Sequence, residues 1–353
     1  VKTDGEPPRS VMNDMRARKR VLIIGAGRRG QNSYLPTFSC LADLYEICGL
    51  HSRTPSRVVP IARKWNVPAI ERLSDIDLST VDLAVISVPT GQNGAVLQAL
   101  LPYAGNLRVL IDTPIASNRQ ELSVIRPLLE RFRNVTVAED HMNFPFHALA
   151  REAAIQGIIG RPSSLSLFNI GYLYHGLSII RALTGFAPAT SSWNRSLGTH
   201  AKVVGYGFAD GFSAAMIGPY RRQEKVAGLV LEGSAGIISE SRMDANYIGH
   251  NRKMYVLEPV RAEGQLTGYK ITGQNYKLVR DLPYLSNLRA MDFPDKSEIN
   301  LVQNCGLIDV ILSVFHESNI NRGYGYKNGL YDSFASQRAD SGYHKLDELL
   351  DFL

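Results

Sequence analysis

From Arg20 onward the chain alternates short aliphatic, β-branched runs with stretches in which apolar positions return every three or four residues. The runs RVLIIG (20–25), YEICGLHS (45–52), VDLAVISV (81–88), RVLID (108–112) and NVTVAE (134–139) read as strands, and the stretches near 29–42, 55–65, 93–103 and 118–132 as helices. Strands this continuously apolar, separated by helices, predict a parallel sheet covered on both faces. A parallel neighbour is reached only through a crossover, and the crossover lays its helix on the sheet.

After about residue 143 the pattern changes. A helix, PFHALAREAAIQG (145–157), leads into SSLSLFNIGY (163–172) and a helical stretch near 175–184. Then come the strand runs HAKVVGYGF (200–208), GFSAAMIGPY (211–220), KVAGLVLEG (225–233), AGIISE (235–240) and KMYVLEP (253–259). Consecutive strands joined by short glycine-containing turns predict a mainly antiparallel sheet, with a closing helix near 297–317 covering one of its faces. The pattern therefore divides the chain into an α/β domain over 20–142 and an α+β domain over 143–353. Residues 1–19, with two prolines, a glycine and mixed charges, read as a flexible arm.

Composition narrows the class. A chain of 353 residues with 44% hydrophobic and 20% charged residues is globular rather than disordered or fibrous. Cys40, Cys48 and Cys305 are odd in number, scattered and free of CxxC spacing, which suggests neither a disulfide framework nor a zinc site; no metal is expected, and a reducing cytoplasm suits the chain. The net charge of +6 is half explained by the first twenty residues, which carry six Lys or Arg against three Asp or Glu. No basic block with interleaved aromatics follows, so nucleic acid is not an expected partner. No apolar run reaches the roughly 18 residues of a membrane span, and the polar N-terminus lacks the apolar core of a signal peptide.

The chemistry-bearing signal is VLIIGAGRRG, which places Gly25, Gly27 and Gly30 in a GxGxxG directly after a strand and at the start of a helix. The first glycine permits the tight turn, the second lets the backbone approach a pyrophosphate, and the third allows close helix packing; the helix N-terminus favours the anion. A dinucleotide site is the reading. Its specificity is decided at the end of the second strand, where an NAD site carries Asp or Glu for the ribose 2′-OH. Here Gly49-Leu50-His51-Ser52-Arg53-Thr54-Pro55 has no carboxylate, and Ser52, Arg53 and Arg57 can donate to a 2′-phosphate, so NADP(H) is the expected cofactor.

Together these residues resemble the Gfo/Idh/MocA dehydrogenases. The resemblance rests on GAGRRG, Ser52-Arg53-Thr54-Pro55, VISVPT, IDTPIAS, QGIIGRP, the segment from Gly171 to Gly185 and LVLEGSAGIIS, in that order along nearly the whole ordered chain. It implies an N-terminal Rossmann doubly wound parallel sheet followed by an open-faced, mainly antiparallel sheet that often pairs subunits, hence a homodimer or homotetramer. It also implies a cofactor site built from Gly25, Gly27, Arg28, Arg29, Gly30, Ser52, Arg53, Arg57, Pro89, Asn93, Asp112, Thr113 and Pro114. The family's Glu-Lys-Pro, whose lysine assists proton transfer, appears as Asp112-Thr113-Pro114. Its Asp placed four residues before a His appears as Gly171 and His175, and a usual histidine appears as Asn93.

Without the lysine, oxidation of an unactivated alcohol lacks its base, a contribution of about 10²- to 10⁴-fold. Reducing an imine or activated carbonyl of a small metabolite asks less, because the nicotinamide carries the hydride chemistry and one donor can supply the proton. Candidate donors are His175, Tyr172 and Tyr174 on one short segment, and His141 beside Asp140 after the strand NVTVAE. Asp140 and His141 also suit a capping role for the helix starting near Pro145. Two other classes stay open: an NADP-binding scaffold or sensor without turnover, and redox-neutral chemistry in which NAD is reduced and reoxidised within one turnover. The Tyr-, Gly- and Ser-rich stretch 321–345 reads as a substrate-covering loop or a surface extension at a subunit contact.

Overall fold

The apolar runs of the first 140 residues assemble into one parallel sheet: β1 (Lys19–Ile24), β2 (Tyr45–His51), β3 (Ala69–Ile70), β4 (Leu83–Ile86), β5 (Arg108–Ile111) and β6 (Asn134–Val137), in the order β3-β2-β1-β4-β5-β6. These elements come from a computed structural model that describes residues 18–170, 172–199, 201–219, 228–240, 252–315, 324–346 and 349. The predicted arm lies outside the described residues except for Arg18 and Lys19, and Lys19 already opens β1. Val21 to Ile23 and Leu83 to Ile86 are fully buried, which is why these strands show no polar alternation. Helices α1 (Leu35–Cys40), α2 (Pro55–Trp65), α3 (Asn93–Leu100) and α4 (Arg119–Leu129) form the crossovers, and a π-helical turn, Gly30–Tyr34, leads into α1. The strand order reverses between β1 and β4, so the crevice outside the carboxyl ends of these strands is where a ligand fits.

The second sheet has ten strands: β7 (Pro162–Phe168), β8 (Ala189–Leu197), β9 (Ala201–Phe208), β10 (Ser213–Pro219), β11 (Gly228–Gly233), β12 (Gly236–Ser239), β13 (Lys253–Ala262), β14 (Gln265–Gly273), β15 (Tyr276–Asp281) and β16 (His344–Lys345). Only β7 with β10 and β12 with β13 run parallel. Strands β8, β14 and β15 escape the hydrophobic pattern. β8 reads ATSSWNRSL and buries only Ala189 and Ser192, and β15 buries no residue, so their strand character comes from neighbours that complete their ladders.

The helices correct two expectations. The closing helix, α8 (Glu298–Ser313), which follows the short α7 (Leu285–Ala290), is not laid flat on the sheet, which it meets through the Glu298–Arg261 and Asp309–Arg280 ion pairs to β13 and β15. It is buried on every side and packs against α1 and the loop after β6, where Asn300 and Asn304 donate to the Asn32 carbonyl at 3.2 and 2.8 Å. The sheet is covered by α5 (Pro145–Ile155), α6 (Leu173–Leu183) and α9 (Tyr326–Asp340). The second correction is α9 itself, read from its Tyr, Gly and Ser content as a loop or surface extension. It buries Leu330, Tyr331, Phe334 and Ala335, and Gly329 lies where a Cβ would stand 2.9 Å from Val137 of β6.

A buried ion pair joins α9 to α6. Arg181 Nη1 donates to Asp332 Oδ1 at 2.6 Å, Nη2 to Asn328 at 2.7 Å, and Tyr324 donates to the other Asp332 oxygen at 2.7 Å; neither charged side chain is more than 1% exposed. Removing one partner strands the other charge in the interior. Asp332→Ala is expected to destabilise the protein by about 3–5 kcal/mol, read as a lowered urea midpoint, with Asp332→Asn losing less because it retains an acceptor for Arg181.

Candidate active site

The three glycines divide their work between turn and cradle. Gly25 sits at φ +127 with its missing Cβ aimed 2.0 Å from the Ser87 carbonyl oxygen, and a Cβ on Gly30 would meet the Gly25 oxygen at 2.3 Å. Both positions exclude larger residues. A Cβ on Gly27, by contrast, would meet nothing within 4 Å, so this backbone faces open space as a pyrophosphate requires. Nearby, Asn93 is buried and donates to the Ile115 carbonyl at 2.9 Å, while its Oδ1 has no partner. The residues present fit a dinucleotide. At the adenosine end, Ser52 and Arg53 follow β2, Arg57 is exposed on α2, and Arg53 Nη1 donates to Gln92 Oε1 at 2.9 Å across the crevice; Pro89 is exposed after β4.

A cleft of about 430 Å³ adjoins this cradle, lined in part by Arg28, Arg29, Asp112, Thr113, Asp140 and His141 from the parallel sheet's loops. Tyr172, Tyr174 and His175 at the head of α6 and Gln303 of α8 complete its walls. The sequence-predicted donors and the end of the predicted cofactor loop thus meet in one place. Arg28 stays exposed, 3.7 Å from Asp295. Arg29 turns inward: its guanidinium pairs with Asp140 and lies 3.4 Å from Asp112, and Nη1 donates to Ser33 at 3.1 Å. Asp112 also accepts from Tyr34 at 3.0 Å and from Ser87 at 3.1 Å. Thr113, joined to Pro114 by a cis peptide bond, brings a hydroxyl rather than a cation to this cleft, whose cationic lining comes from Arg28 and Arg29.

The residue that the sequence reading passed over is Glu139. It is fully buried and places its carboxylate 2.7 Å from His175 Nδ1, while the main-chain N–H of His141 donates to it at 3.1 Å. Its neighbour Asp140 points to other partners, with His141 Nδ1 at 3.0 Å and Gln303 Nε2 at 3.2 Å. Asp140 and His141 therefore do not cap α5. The residue before Pro145 is Phe144, which makes no side-chain cap, and the Asp140 carboxylate is occupied by Arg29 and His141.

The two adjacent carboxyls are driven apart. Burial pushes Glu139 up to about 8 against the opposing pull of His141. Burial acts the same way on Asp140, but Arg29 and the His141 N–H overcome it and hold Asp140 well below the usual carboxylate range. Burial, reinforced by His175, lowers His141. Glu139, His141 and His175 offer ligand atoms within 4.8 Å of one another, a spacing a metal ion can use. The two imidazoles, however, stack at 3.6 Å and 18°, and lone pairs lying in nearly parallel ring planes do not converge on one point. The arrangement forms two carboxyl–imidazole pairs, Glu139–His175 and Asp140–His141, in which Asp140 is ionised and Glu139 holds its proton.

This has a measurable consequence. A carboxyl that keeps its proton longer in the folded chain stabilises it fully below the unfolded value of 4.5, and the gain is lost as pH rises through about 8. The melting temperature is expected to fall across that window, and Glu139→Gln to flatten the fall; parallel profiles for both proteins would contradict it.

Comparison with known proteins agrees with the geometry. Residues 19–140 match the model of an oxidoreductase family with an NAD-binding Rossmann fold. YteT of Bacillus subtilis, which is named as an oxidoreductase, is 24% identical over 185 residues, 50% of this chain and 41% of that protein, so the match spans about two fifths of the relative's length. An oxidoreductase from Agrobacterium radiobacter, solved with NAD+, L-tartaric acid and magnesium, superposes with a TM-score of 0.66 at 12% identity over 95% of this chain and 100% of its own. The super-repressor mutant of Gal80p from Saccharomyces cerevisiae does so with a TM-score of 0.65 at 11% identity, over 94% and 99%. At such identities the likeness is one of fold, and one fold carries many activities. Among the described residues no helix is long and apolar enough to cross a membrane. Residues 19–140 thus match the NAD-binding Rossmann domain of the Gfo/Idh/MocA oxidoreductase family, and the described chain shares its two-sheet fold with the solved oxidoreductases.

Proposed function

We propose that the protein is an NADPH-dependent reductase of a C=N or activated C=O group in a small metabolite, with His175 delivering the proton and Glu139 positioning it. The observation that carries this reading is the Glu139–His175 pair, set in a cleft that adjoins the glycine cradle and offers no lysine. Gly25, Gly27 and Gly30 hold the pyrophosphate, Ser52, Arg53 and Arg57 receive the 2′-phosphate, and Asn93, Thr113 and Pro114 border the nicotinamide end. When bound, the cofactor supplies the hydride to the electrophilic carbon.

The remaining work falls to the chain. His175 Nδ1 is held by Glu139, so as negative charge develops on the substrate nitrogen or oxygen the ring's other nitrogen gives its proton there while the proton held by Glu139 passes to Nδ1, leaving a neutral imidazole beside an ionised Glu139. Asp140 holds His141 flat against His175, and stacking restricts both rings. Arg29 fixes the two ionisable groups on either side of the cleft floor, Asp112 and Asp140. Reduction suits this set better than oxidation of a plain alcohol, because a proton held at the cleft is available to give rather than to accept.

His175→Gln should lower kcat by about 10²- to 10⁴-fold with the NADPH dissociation constant unchanged, measured as NADPH absorbance loss over a panel of imines and activated ketones. Arg53→Ala should abolish a preference for NADPH over NADH of at least about tenfold, or about 1.4 kcal/mol, in a calorimetric titration. NADPH binding without turnover on any member of the panel would favour a scaffold or sensor, a reading motivated by Thr113 in place of lysine.

A further inference from the structure

Beyond the Tyr172–Tyr174 wall of the main cleft lies a second compartment of about 260 Å³, bounded by the loop after β5, the head of α6 and the face of α9. The two share Tyr172 and Tyr174, whose rings stack on each other at 5.4 Å and 14°, and Tyr172 is 44% exposed. Their surroundings differ in kind. The main cleft is walled by ionised and hydrogen-bonding groups, whereas in the second compartment Pro114, Ala116, Leu173 and the tyrosine rings face three serines, Gln337 and Asp340.

The polar residues that reach it have partners within the protein, Ser117 Oγ lying 2.6 Å from the Thr90 hydroxyl. Ser333 and Ser336 donate to the carbonyls of Gly329 and Asp332 at 2.8 and 2.6 Å. Gln337 donates to the Ser117 carbonyl at 2.9 Å, and the Asp340 carboxylate pairs with Lys202. A polyol placed here would lose hydration without regaining matching donors, which is costly. A flat apolar ring would gain contact with Pro114 and Leu173 and meet the tyrosines in the offset or edge-on arrangements that aromatic pairs favour. Tyr172 and Tyr174 line both spaces, and the Tyr174 ring lies 4.3 Å from that of His175, so a ring held in the compartment adjoins the cleft that His175 lines.

We infer that this compartment is the subsite for an aromatic substituent, which makes the substrate class an aryl-substituted carbonyl or imine: polar group at His175, ring behind the tyrosines. The inference rests on the reductase reading for what happens at the polar group, but ring binding itself requires no cofactor and no turnover.

The test is ligand-observed saturation-transfer NMR on the full chain with benzaldehyde as probe and myo-inositol as its polar counterpart, without cofactor. Benzaldehyde ring protons should receive saturation and myo-inositol should not. Ser336→Phe, which fills the compartment from α9, should weaken benzaldehyde at least about tenfold. Because Ser336 is buried, Gln337→Trp serves as a second variant: its exposed side chain narrows the mouth without crowding the core, and it should produce the same loss. Absence of ring transfer in the wild-type protein, transfer to myo-inositol instead, or unchanged benzaldehyde binding in Gln337→Trp would each overturn the inference. A parallel NADPH titration separates the two readings. Benzaldehyde bound but NADPH not bound leaves the subsite standing and removes the reductase, and the converse removes only the subsite.

Discussion

Three loops at the carboxyl edge of the parallel sheet meet at the guanidinium of Arg29. It leaves the glycine loop after β1 and contacts Asp112 after β5 and Asp140 after β6. Two carboxylates on one guanidinium, Asp140 buried and Asp112 partly so, would repel and would each lose hydration, and a delocalised, always charged fork is the side chain best able to hold both. The geometry of the cleft follows from that contact. With Asp140 committed to Arg29 and His141, its neighbour Glu139 is left to face His175, and the adjacent carboxyls take opposite protonation states.

The second domain contributes by bringing α6 to that edge and keeping it there. His175 stands near the start of α6, and two turns further on Arg181 is anchored to Asp332, Asn328 and the carbonyls of Phe186 and Ala187. The same buried pair orders α9, which walls the compartment behind Tyr172 and Tyr174. A proton donor and a binding surface thus share one structural support. Behind the loop after β6, Arg151 donates to the Met142 carbonyl at 3.2 Å and to Asn143 at 3.3 Å, so the segment carrying Glu139, Asp140 and His141 is held from its far side as well.

Local chemistry made much of this legible. The glycine loop, the apolar strands of the first sheet, the missing ribose carboxylate after β2 and the placement of His175 all depend on residues close in sequence, where periodicity and turn requirements act. The strands β8 and β15 were not legible, because a strand whose side chains are half or wholly exposed leaves no apolar alternation to read. The destination of α8 was hidden for the opposite reason: a helix buried on all sides has no stripe to indicate which neighbour it meets. In α9 the glycine and serines that suggest a loop are small residues permitting close approach to β6 and α6.

The sequence by itself determined the sheet type and the glycine turn of the nucleotide cradle, because each is set by residues within a few positions of one another, but its candidate acid–base groups left out Glu139. It could not assign partners within the run Glu139-Asp140-His141. Three consecutive ionisable residues look alike on paper, and their roles were decided only by what the tertiary structure placed opposite each: His175 from another domain against Glu139, and Arg29 from the first loop against Asp140, more than a hundred residues away. Charge in a low-dielectric interior answers to its nearest partners in space, and those are fixed by packing rather than by sequence neighbourhood.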